Sequence, residues 1–589
     1  MILADAIVTC LRDLKLGYLF GVSGANIEHI HDSVYRLGGT ELQTVMTKSE
    51  FGAAFMADAR ARTHHTLGVC CATSGGGMMN LAVGVAESFA HSVPVLALVG
   101  QAPLAQEGRG GFQDSSGIGA TVNAKAMWAA ISKYTCKVES ADQFWSLWFE
   151  SLTQPFKGRR GPAVMLLPRD VMMLEVGEIP GDFLARVKAE MASKPETTLD
   201  AGLLEELWQQ LKNARNPVMV LGSGVVRRNA ADAALQFANA CGIKVVSTLA
   251  CPGIFPNNHE HYLGMMGVAG HPSTHQYIEE QADLIIGVGT QLRVMTRATL
   301  DAALTEKPLW VVNDNFDEFD HHLNPNLKLE MNADQFLAIM NAQQCKDPVQ
   351  FAGSSIHKVV TCFKPEKINY DFSPRIFPAK KAEAEEGLTQ SEAIKRLNRF
   401  LPDQGHILFD AGNCAAAAAH FLKMPLDVSN TIALGMGGMG YAIAGAIGAQ
   451  LGEAETARTM VFCGDGAFMM TGLEIHTAVD LQLPILWVVF NNSMHGMCVT
   501  RQQLYFEGRI EGNTYGDISI AQIASGFGGP DRIWSAVATN PVELDIHLQQ
   551  YLSHHGRKPG VLELKIVAEE MPPFMPFVSL RAETESAWI

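Results

Sequence analysis

The sequence predicts an α/β protein built from three doubly wound parallel-sheet domains, and three observations carry that expectation. At 589 residues the chain is too long for one core, and three or four domains is the natural division. Short, wholly apolar runs such as Val93 to Val99 recur along it. They fall far below the roughly 20 residues of a membrane helix, so they read as strands buried on both faces. Amphipathic helical stretches alternate with them, the pattern of parallel sheets covered by helices.

The first domain is expected over residues 1–175, with strands at Tyr18-Leu-Phe-Gly-Val, Leu67-Gly-Val-Cys-Cys-Ala, Val95-Leu-Ala-Leu-Val and Ala163-Val-Met-Leu-Leu. A mixed stretch follows, running past Pro180 and Pro195. The central domain is expected over residues 196–345. It opens with a helical pattern from Leu203 to Leu211, and the strand Pro217-Val-Met-Val-Leu then enters Gly222-Ser-Gly224. Further strands are Lys244-Val-Val-Ser, Leu284-Ile-Ile-Gly-Val and Leu309-Trp-Val-Val. Residues 346–386 are rich in Pro, Lys and Glu without clean periodicity and read as a linker. The third domain, 387–568, carries strands at Ile407-Leu-Phe, Thr459-Met-Val-Phe-Cys and Ile485-Leu-Trp-Val-Val-Phe. Residues 569–589, with Pro572-Pro573 and Pro576, read as a tail or lid.

Composition narrows the function. The formal charge of −16 argues against nucleic acid, whose phosphates need a basic surface. The 11 cysteines are scattered and form no CxxC pair, so a disulfide framework or zinc site is not expected and a reducing cytoplasm fits. Met1-Ile-Leu-Ala-Asp-Ala-Ile lacks a basic n-region, so no secretory signal is expected, and the shortness of the apolar runs argues against a membrane partner.

The chemistry concentrates in the third domain. After the strand Thr459 to Cys463 stands Gly464-Asp465-Gly466, and 24 residues separate it from Asn491-Asn492, which follows the strand ending at Phe490. A diphosphate needs a hard cation. Mg²⁺ takes octahedral oxygen ligands but typically only one or two carboxylates. Asp465 can supply the carboxylate, Asn492 an amide oxygen, and a main-chain carbonyl around Met494 a third ligand. An intervening helix, about Gly472 to Asp480, returns the chain to an adjacent parallel strand. Both ligands then sit at the carboxyl ends of neighbouring strands, where α/β sheets bind ligands. Gly464 and Gly466 let the backbone, with Ala467 behind it, approach phosphate oxygens.

Together these elements resemble the cofactor motif of the thiamine-diphosphate-dependent enzymes. Lys48-Ser-Glu50-Phe-Gly-Ala-Ala-Phe-Met-Ala-Asp-Ala-Arg-Ala-Arg resembles the glutamate motif of their acetolactate synthase and benzaldehyde lyase branch. Alone, a glutamate at a helix start only favours the helix dipole. The resemblance gives Glu50 a further role, a hydrogen bond to the aminopyrimidine ring in an apolar pocket that disfavours its charged form. Gly21-Val-Ser23-Gly-Ala-Asn26, Thr73-Ser-Gly75-Gly-Gly77-Met-Met-Asn80 and Gly111-Phe112-Gln113 match that branch's first-domain turns. They imply that Ser23, Asn26 and Gln113 face the reacting carbon and that Phe112 lines the substrate side.

In the third domain, Asp410-Ala-Gly412-Asn413-Cys414 is similar in part to the family's diphosphate turn. Leu434-Gly-Met-Gly437-Gly-Met439-Gly resembles its wedge loop, which makes Met439 the apolar contact that bends the cofactor. His495, Gly496 and Met497 follow the metal ligands and are expected near the pyrimidine. His495 reads equally as an acid/base or as an exposed loop histidine. Arg501 stands near the place where acetolactate synthases carry a tryptophan, as an anion-binding group or a surface cation. Synthases of this branch often hold FAD in the central domain. Gly222, Gly224, Thr248 and Gly289 fit that; Gln291 stands for the family's arginine, with Arg293 offset, and the flavin-side segment reads Val312-Asn313-Asp314-Asn-Phe-Asp317.

The resemblance implies pyrimidine-binding, central and diphosphate-binding domains in chain order, and a homodimer or homotetramer whose sites lie between subunits. It implies an enzyme that binds thiamine diphosphate and Mg²⁺ and transfers an acyl unit from a 2-oxo acid to a carbonyl acceptor. A 2-oxo acid decarboxylase, a C–C lyase and a catalytically silent relative are the alternatives. A nicotinamide dehydrogenase would need a full GxGxxG with a following acidic residue, which is lacking.

Overall fold

In a computed structural model, residues 1–193, 198–316, 319, 322–351, 359, 387–426, 428–566 and 572–577 are described. Three six-stranded parallel sheets follow one another along the chain. The first holds β1 (Gly17–Gly21), β2 (Leu42–Met46), β3 (Gly68–Ala72), β4 (Val95–Gln101), β5 (Tyr134–Lys137) and β6 (Ala163–Pro168), in the order β2-β1-β3-β4-β6-β5. The second holds β7 (Pro217–Leu221), β8 (Lys244–Thr248), β9 (Tyr262–Met266), β10 (Leu284–Val288), β11 (Leu309–Asn313) and β12 (Leu327–Glu330), in the order β12-β11-β10-β7-β8-β9. The third holds β13 (Gly405–Phe409), β14 (Val428–Ile432), β15 (Arg458–Gly464), β16 (Ile485–Asn491), β17 (Trp534–Ala538) and β18 (Gly560–Lys565), in the order β14-β13-β15-β16-β18-β17.

The first and third sheets share one topology. In both, the strand order reverses between the first and third strands in sequence, and that crevice is where open α/β sheets bind ligands.

The expected strands are present where the apolar runs predict them, because β3, β4, β6, β7, β8 and β10 are buried at every residue. β2, β5, β12 and β17 lie at sheet edges and are only partly buried; β5 and β12 alternate polar with apolar, and polar residues interrupt β2 and β17, which hides all four from a search for apolar runs. β18 is buried, but Glu563 interrupts its apolar run. The expected helix at Gly472–Asp480 is broken: Asp465–Thr471 is α-helical, Gly472–Glu474 is a 3-10 turn, and Ile475–Asp480 is α-helical again. The stretch past Pro180 contains a helix, Phe183–Ala192, whose Phe183 and Val187 join the first domain's core.

Small residues decide how the first and third domains meet. The helices Glu50–His64 and Tyr441–Gln450 pack face to face in one shared core with Phe55, Tyr441, Val461 and Trp487. A Cβ at Gly448 would lie 2.0 Å from the Met56 carbonyl oxygen, and one at Gly84 would lie 2.4 Å from the Ala54 Cβ. These alanine- and glycine-rich helices pack closely, and only hydrogen fits at those contacts.

The central domain meets the third through His271 and His420, stacked with ring centroids 4.6 Å apart. Burial lowers both, His271 to about 4 and His420 to about 3.

Of the stretch read as a linker, Lys346 ends the helix Ala333–Lys346 and Phe351 is buried in the central core; 352–358 and 360–386 lie outside the described residues. So do 569–571 and 578–589 of the tail. Within 572–577, Phe577 is buried against Leu504, Tyr505 and Met497, and Met575 donates its N–H to the Val268 carbonyl. No helix among the described residues is long and apolar enough to cross a membrane. The ten cysteines among them are free thiols.

Candidate functional site

The crevice between β13 and β15 is organised by two buried carboxyl groups. Asp410 follows β13. Its Oδ1 accepts N–H from Ala411 and Gly440, and its Oδ2 accepts from Ala442 at 2.9 Å. Burial pushes it up to about 6 against the pull of these donors. It thereby fixes two turns at once: Gly412, which needs glycine for its φ of +115°, and the loop running into the Tyr441–Gln450 helix.

Asp465 follows β15. Its Oδ1 accepts from the Gly466 amide at 2.9 Å, and its Oδ2 accepts from the amides of Asn492 at 3.1 Å and Ser493 at 2.6 Å. The Gly-Asp-Gly and Asn-Asn turns are thus tied together at the carboxyl ends of adjacent strands, as their spacing predicts. Burial raises the Asp465 carboxyl, opposed by these donors.

A cavity of about 240 Å³ opens beside them. It is lined by Gly412, Asn413, Cys414, Gly437, Met439, Gly464, Asp465, Gly466, Ala467, Asn492, Met494, His495, Gly496 and Met497, and by Arg501. Every cofactor and metal residue expected of the third domain therefore meets in one place. The structure adds Gln390 from a neighbouring helix and Ile566 after β18, which no local motif marks. His495 is half-buried, not an exposed loop residue, and its Nδ1 lies 2.7 Å from where a Gly466 Cβ would stand.

The donor set can be tested for fit. Asn413 Oδ1 and His495 Nδ1 are buried without a hydrogen-bond partner among the described residues. Asn413 and Gly496 open helices of 9 and 10 residues, so unpaired N–H groups face the cavity. Among the described residues no three His, Cys, Asp or Glu side chains converge as a metal site. One carboxylate, one amide and one carbonyl suit a hard cation that takes its remaining ligands from phosphate. These residues fit Mg²⁺ with a diphosphate.

The first domain assembles a second group at the same end of its own sheet. Asn26 lies in the turn after β1, Ser74 follows β3, and Gln113 lies in the loop after β4. Asn26 Nδ2 donates to Ser74 Oγ at 2.7 Å, and that hydroxyl donates to Gln113 Oε1 at 3.3 Å. Ser74 is fully buried and was not singled out from the sequence. Gln113 has a φ of +58°, which for a non-glycine residue marks a constrained loop. Glu50 opens its helix after the N-cap Ser49, and its Oε2 accepts from Asn80 Nδ2 at 3.0 Å. Ser23 is exposed, and Phe112 is 78% exposed.

The structure does not bring the two groups together within one chain. Glu50, Asn26, Ser23, Gln113 and Phe112 do not line the third-domain cavity. The surface around both is apolar: Met79, Val83, Met436, Met469, Met470 and Leu473 are each between 46% and 66% exposed.

In the central domain, the expected phosphate turn is closed by its own neighbour. A Cβ at Gly222 would lie 2.4 Å from the Gly289 carbonyl oxygen, so these glycines pack two turns together. The short helix after Gly222 ends in Arg227 and Arg228, both paired with Asp314. Arg160 lies nearby. Burial, with the charges of Arg228 and Arg227, lowers it to about 10. Asp317 of the expected flavin-side segment lies outside the described residues.

Three family models match in chain order. They are thiamine pyrophosphate enzyme, N-terminal TPP binding domain, over residues 1–120; the central domain over 204–340; and the C-terminal TPP binding domain over 410–564. The chain is 26% identical over 577 residues to the acetolactate synthase isozyme 1 large subunit of Escherichia coli, covering 97% of this chain and 95% of that one. It is 26% identical over 583 residues to a probable acetolactate synthase large subunit of Methanocaldococcus jannaschii, covering 97% and 93%. It is 27% identical over 507 residues to the acetolactate synthase large subunit of Corynebacterium glutamicum, covering 86% and 77%.

Proposed function

We propose, from the premise that this chain belongs to the thiamine pyrophosphate enzyme family, that it is a carboligase moving an acyl unit from a 2-oxo acid to a carbonyl acceptor. It is a thiamine-diphosphate-dependent enzyme of the transferase or lyase class, similar to acetolactate synthases. The observation that carries the reading is the single cavity in which Asp465 is hydrogen-bonded to the Asn492 turn beside Met439.

Bound thiamine diphosphate supplies a nucleophilic carbon and an electron sink next to the substrate carbonyl. The residues of the chain bind, orient and move protons. Asp465, Asn492 and the Met494 carbonyl would hold Mg²⁺. The Gly412-Asn413-Cys414 turn and the Gly464–Ala467 segment would take the diphosphate, and Met439 would wedge between the rings. His495, Gly496 and Met497 would flank the pyrimidine. Glu50, with one oxygen held by Asn80, would present the other to the pyrimidine nitrogen. Because Ser74 Oγ accepts from Asn26 and donates to Gln113, Asn26 turns a carbonyl, and Gln113 an amino group, toward substrate, with Ser23 beside them. Phe112 would close the substrate side, and the guanidinium of Arg501 suits a substrate carboxylate.

The separation of the two groups and the apolar surface around them support a dimer or a tetramer, with the first domain of one subunit completing the cavity of another. For FAD, the glycine turn is spent on internal packing. The residues that suit its diphosphate are Arg160 and Arg228, each with a buried Nε that lacks a partner among the described residues. The free thiols fit a cytoplasmic site of action.

The test is incubation with thiamine diphosphate, Mg²⁺ and a panel of 2-oxo acids, with and without aldehydes, following CO₂ and ligated product. Ligated product is expected. CO₂ release without ligation would make the protein a decarboxylase, cleavage without CO₂ a lyase, and neither a silent relative.

A further inference from the structure

We infer that Glu87 is a positioning residue for the Met439 loop, holding it from the first domain; this rests on the cofactor contact proposed for Met439. Glu87 lies in the last turn of the Gly76–Ala90 helix and is 1% exposed. A buried carboxylate must find donors, and this one finds them in another domain. Its Oε2 accepts the Met436 amide at 2.6 Å and its Oε1 the Gly435 amide at 3.2 Å. Arg62, which also pairs with the buried Asp58 at 2.6 Å, brings its positive charge to 3.3 Å from Glu87.

Two consecutive amides turned onto one carboxylate form the concave N–H pair that suits an anion, and such charge-assisted bonds are the strong ones. The loop has no room to shift on that support. A Cβ at Gly435 would lie 2.6 Å from the Ala90 Cβ, and one at Gly438 would lie 3.2 Å from the Phe55 ring. Its far end is fixed by Asp410, which takes the Gly440 amide at 2.8 Å. The loop is therefore gripped by one carboxylate at each end. The stretch between, Gly437 to Met439, reaches the cavity, and Gly437 has a φ of +64° and open space around it. Asp410 belongs to the loop's own domain and follows β13. Glu87 does not, so the placement of Met439 depends on how the first domain is docked.

The test is a double-mutant cycle on full-length protein, read by calorimetric titration of thiamine diphosphate with Mg²⁺ and by turnover. Glu87→Gln keeps the shape but turns an amide donor toward two N–H groups. It is expected to weaken cofactor binding about ten- to a hundredfold. Met439→Ala is expected to weaken it too, and the double variant should be no worse than the poorer single one. A general loss of stability would instead make the two losses multiply. Multiplying losses, or unchanged binding in Glu87→Gln, would overturn the inference. Glu87→Asp, which keeps the charge beside Arg62 but not the reach, serves if Gln does not fold. Hydrogen exchange is then expected to speed up in residues 434–440 while the Gly76–Ala90 helix stays protected, and unchanged protection of the loop overturns the inference. If the wild type takes up no cofactor, it is the proposed function that fails, and the exchange experiment still decides the role of Glu87.

Discussion

The Glu474 carboxylate accepts the Ser49 hydroxyl at 2.7 Å and the Lys48 amide at 3.0 Å, so the segment leaving Asp465 is hooked onto the residue that precedes Glu50. Glu474 is almost fully buried, and burial raises its carboxyl against these donors. Within one chain the two helix starts are rigidly linked. Yet Glu50 does not line the cavity that Asp465 lines. Held this firmly but apart, each group would need a partner from elsewhere, and in the proposed dimer or tetramer a second copy of the chain would supply both.

That arrangement predicts complementation. Glu50→Gln and Asp465→Ala should each be nearly inactive alone. Unfolded together and refolded as a mixture, they should recover about a quarter of wild-type activity, because half the dimers formed at random are mixed and each of those has one intact site. Activity assays on mixtures of varied ratio check this. No recovery at any ratio would mean that both groups act within one chain.

Glu50→Gln alone separates binding from chemistry. Turnover is expected to fall about a hundred- to ten-thousandfold, the usual worth of a placed acid–base group. Cofactor binding by calorimetry should change little, since in the proposed role Glu50 would touch the ring and not the diphosphate. Unchanged turnover would remove Glu50 from the mechanism.

Asp465→Asn keeps the hydrogen-bonding shape but removes the charge. Wild-type protein should gain about 3 kcal/mol of stability at a hundredfold excess of cofactor over its dissociation constant. The thermal midpoint of Asp465→Asn should not respond to thiamine diphosphate and Mg²⁺ at the same concentrations. A full response in the variant would place the cation elsewhere.

Gly448→Ala probes the joint between the domains. The added carbon would lie 2.0 Å from a backbone oxygen, which cannot swing aside as a side chain could. A cost of about 1–3 kcal/mol or more is expected, read as a lowered unfolding midpoint. Gly512→Ala, with nothing within 4 Å but a φ of +69°, is the comparison that carries backbone strain without the clash.

The stacked histidines predict an acid-sensitive contact between the central and third domains. His271 is lowered to about 4 and His420 to about 3, both chiefly by burial, against about 6.5 in an unfolded chain. The folded state therefore binds protons less readily than the unfolded state. Their contribution to stability is complete above about pH 6.5 and is lost as pH falls toward 4 and then 3. The unfolding midpoint should drop over that range. His271→Asn should be less stable at pH 7 but fall less steeply, which thermal scans at stepped pH will resolve.

What was legible in the sequence was local. Apolar runs marked strands because both faces of a parallel sheet are dry. Gly464-Asp465-Gly466 and Asn491-Asn492 marked one crevice because turns that grip a diphosphate need glycine, a carboxylate and a fixed crossover length. Edge strands such as β2 and β12 were hidden because half their residues face water. Ser74, Glu87 and Glu474 were hidden for a different reason. Each looks like an ordinary polar residue in its own segment, and each acts on a turn that its own motif does not include.

The sequence by itself determined the class of cofactor and the residues that meet in the third-domain cavity, because a short stretch of chain carries that chemistry wherever it folds. Only the tertiary structure decided which turns are held by which carboxylates, that His495 faces the cavity, and that Glu50 stands apart from Asp465 in a single chain. Some of those contacts join residues 27 positions apart and others residues 426 apart. The contacts between the first and third domains are set by how closely the Glu50–His64 and Tyr441–Gln450 helices can approach, and that approach ends where Gly448 meets the Met56 carbonyl.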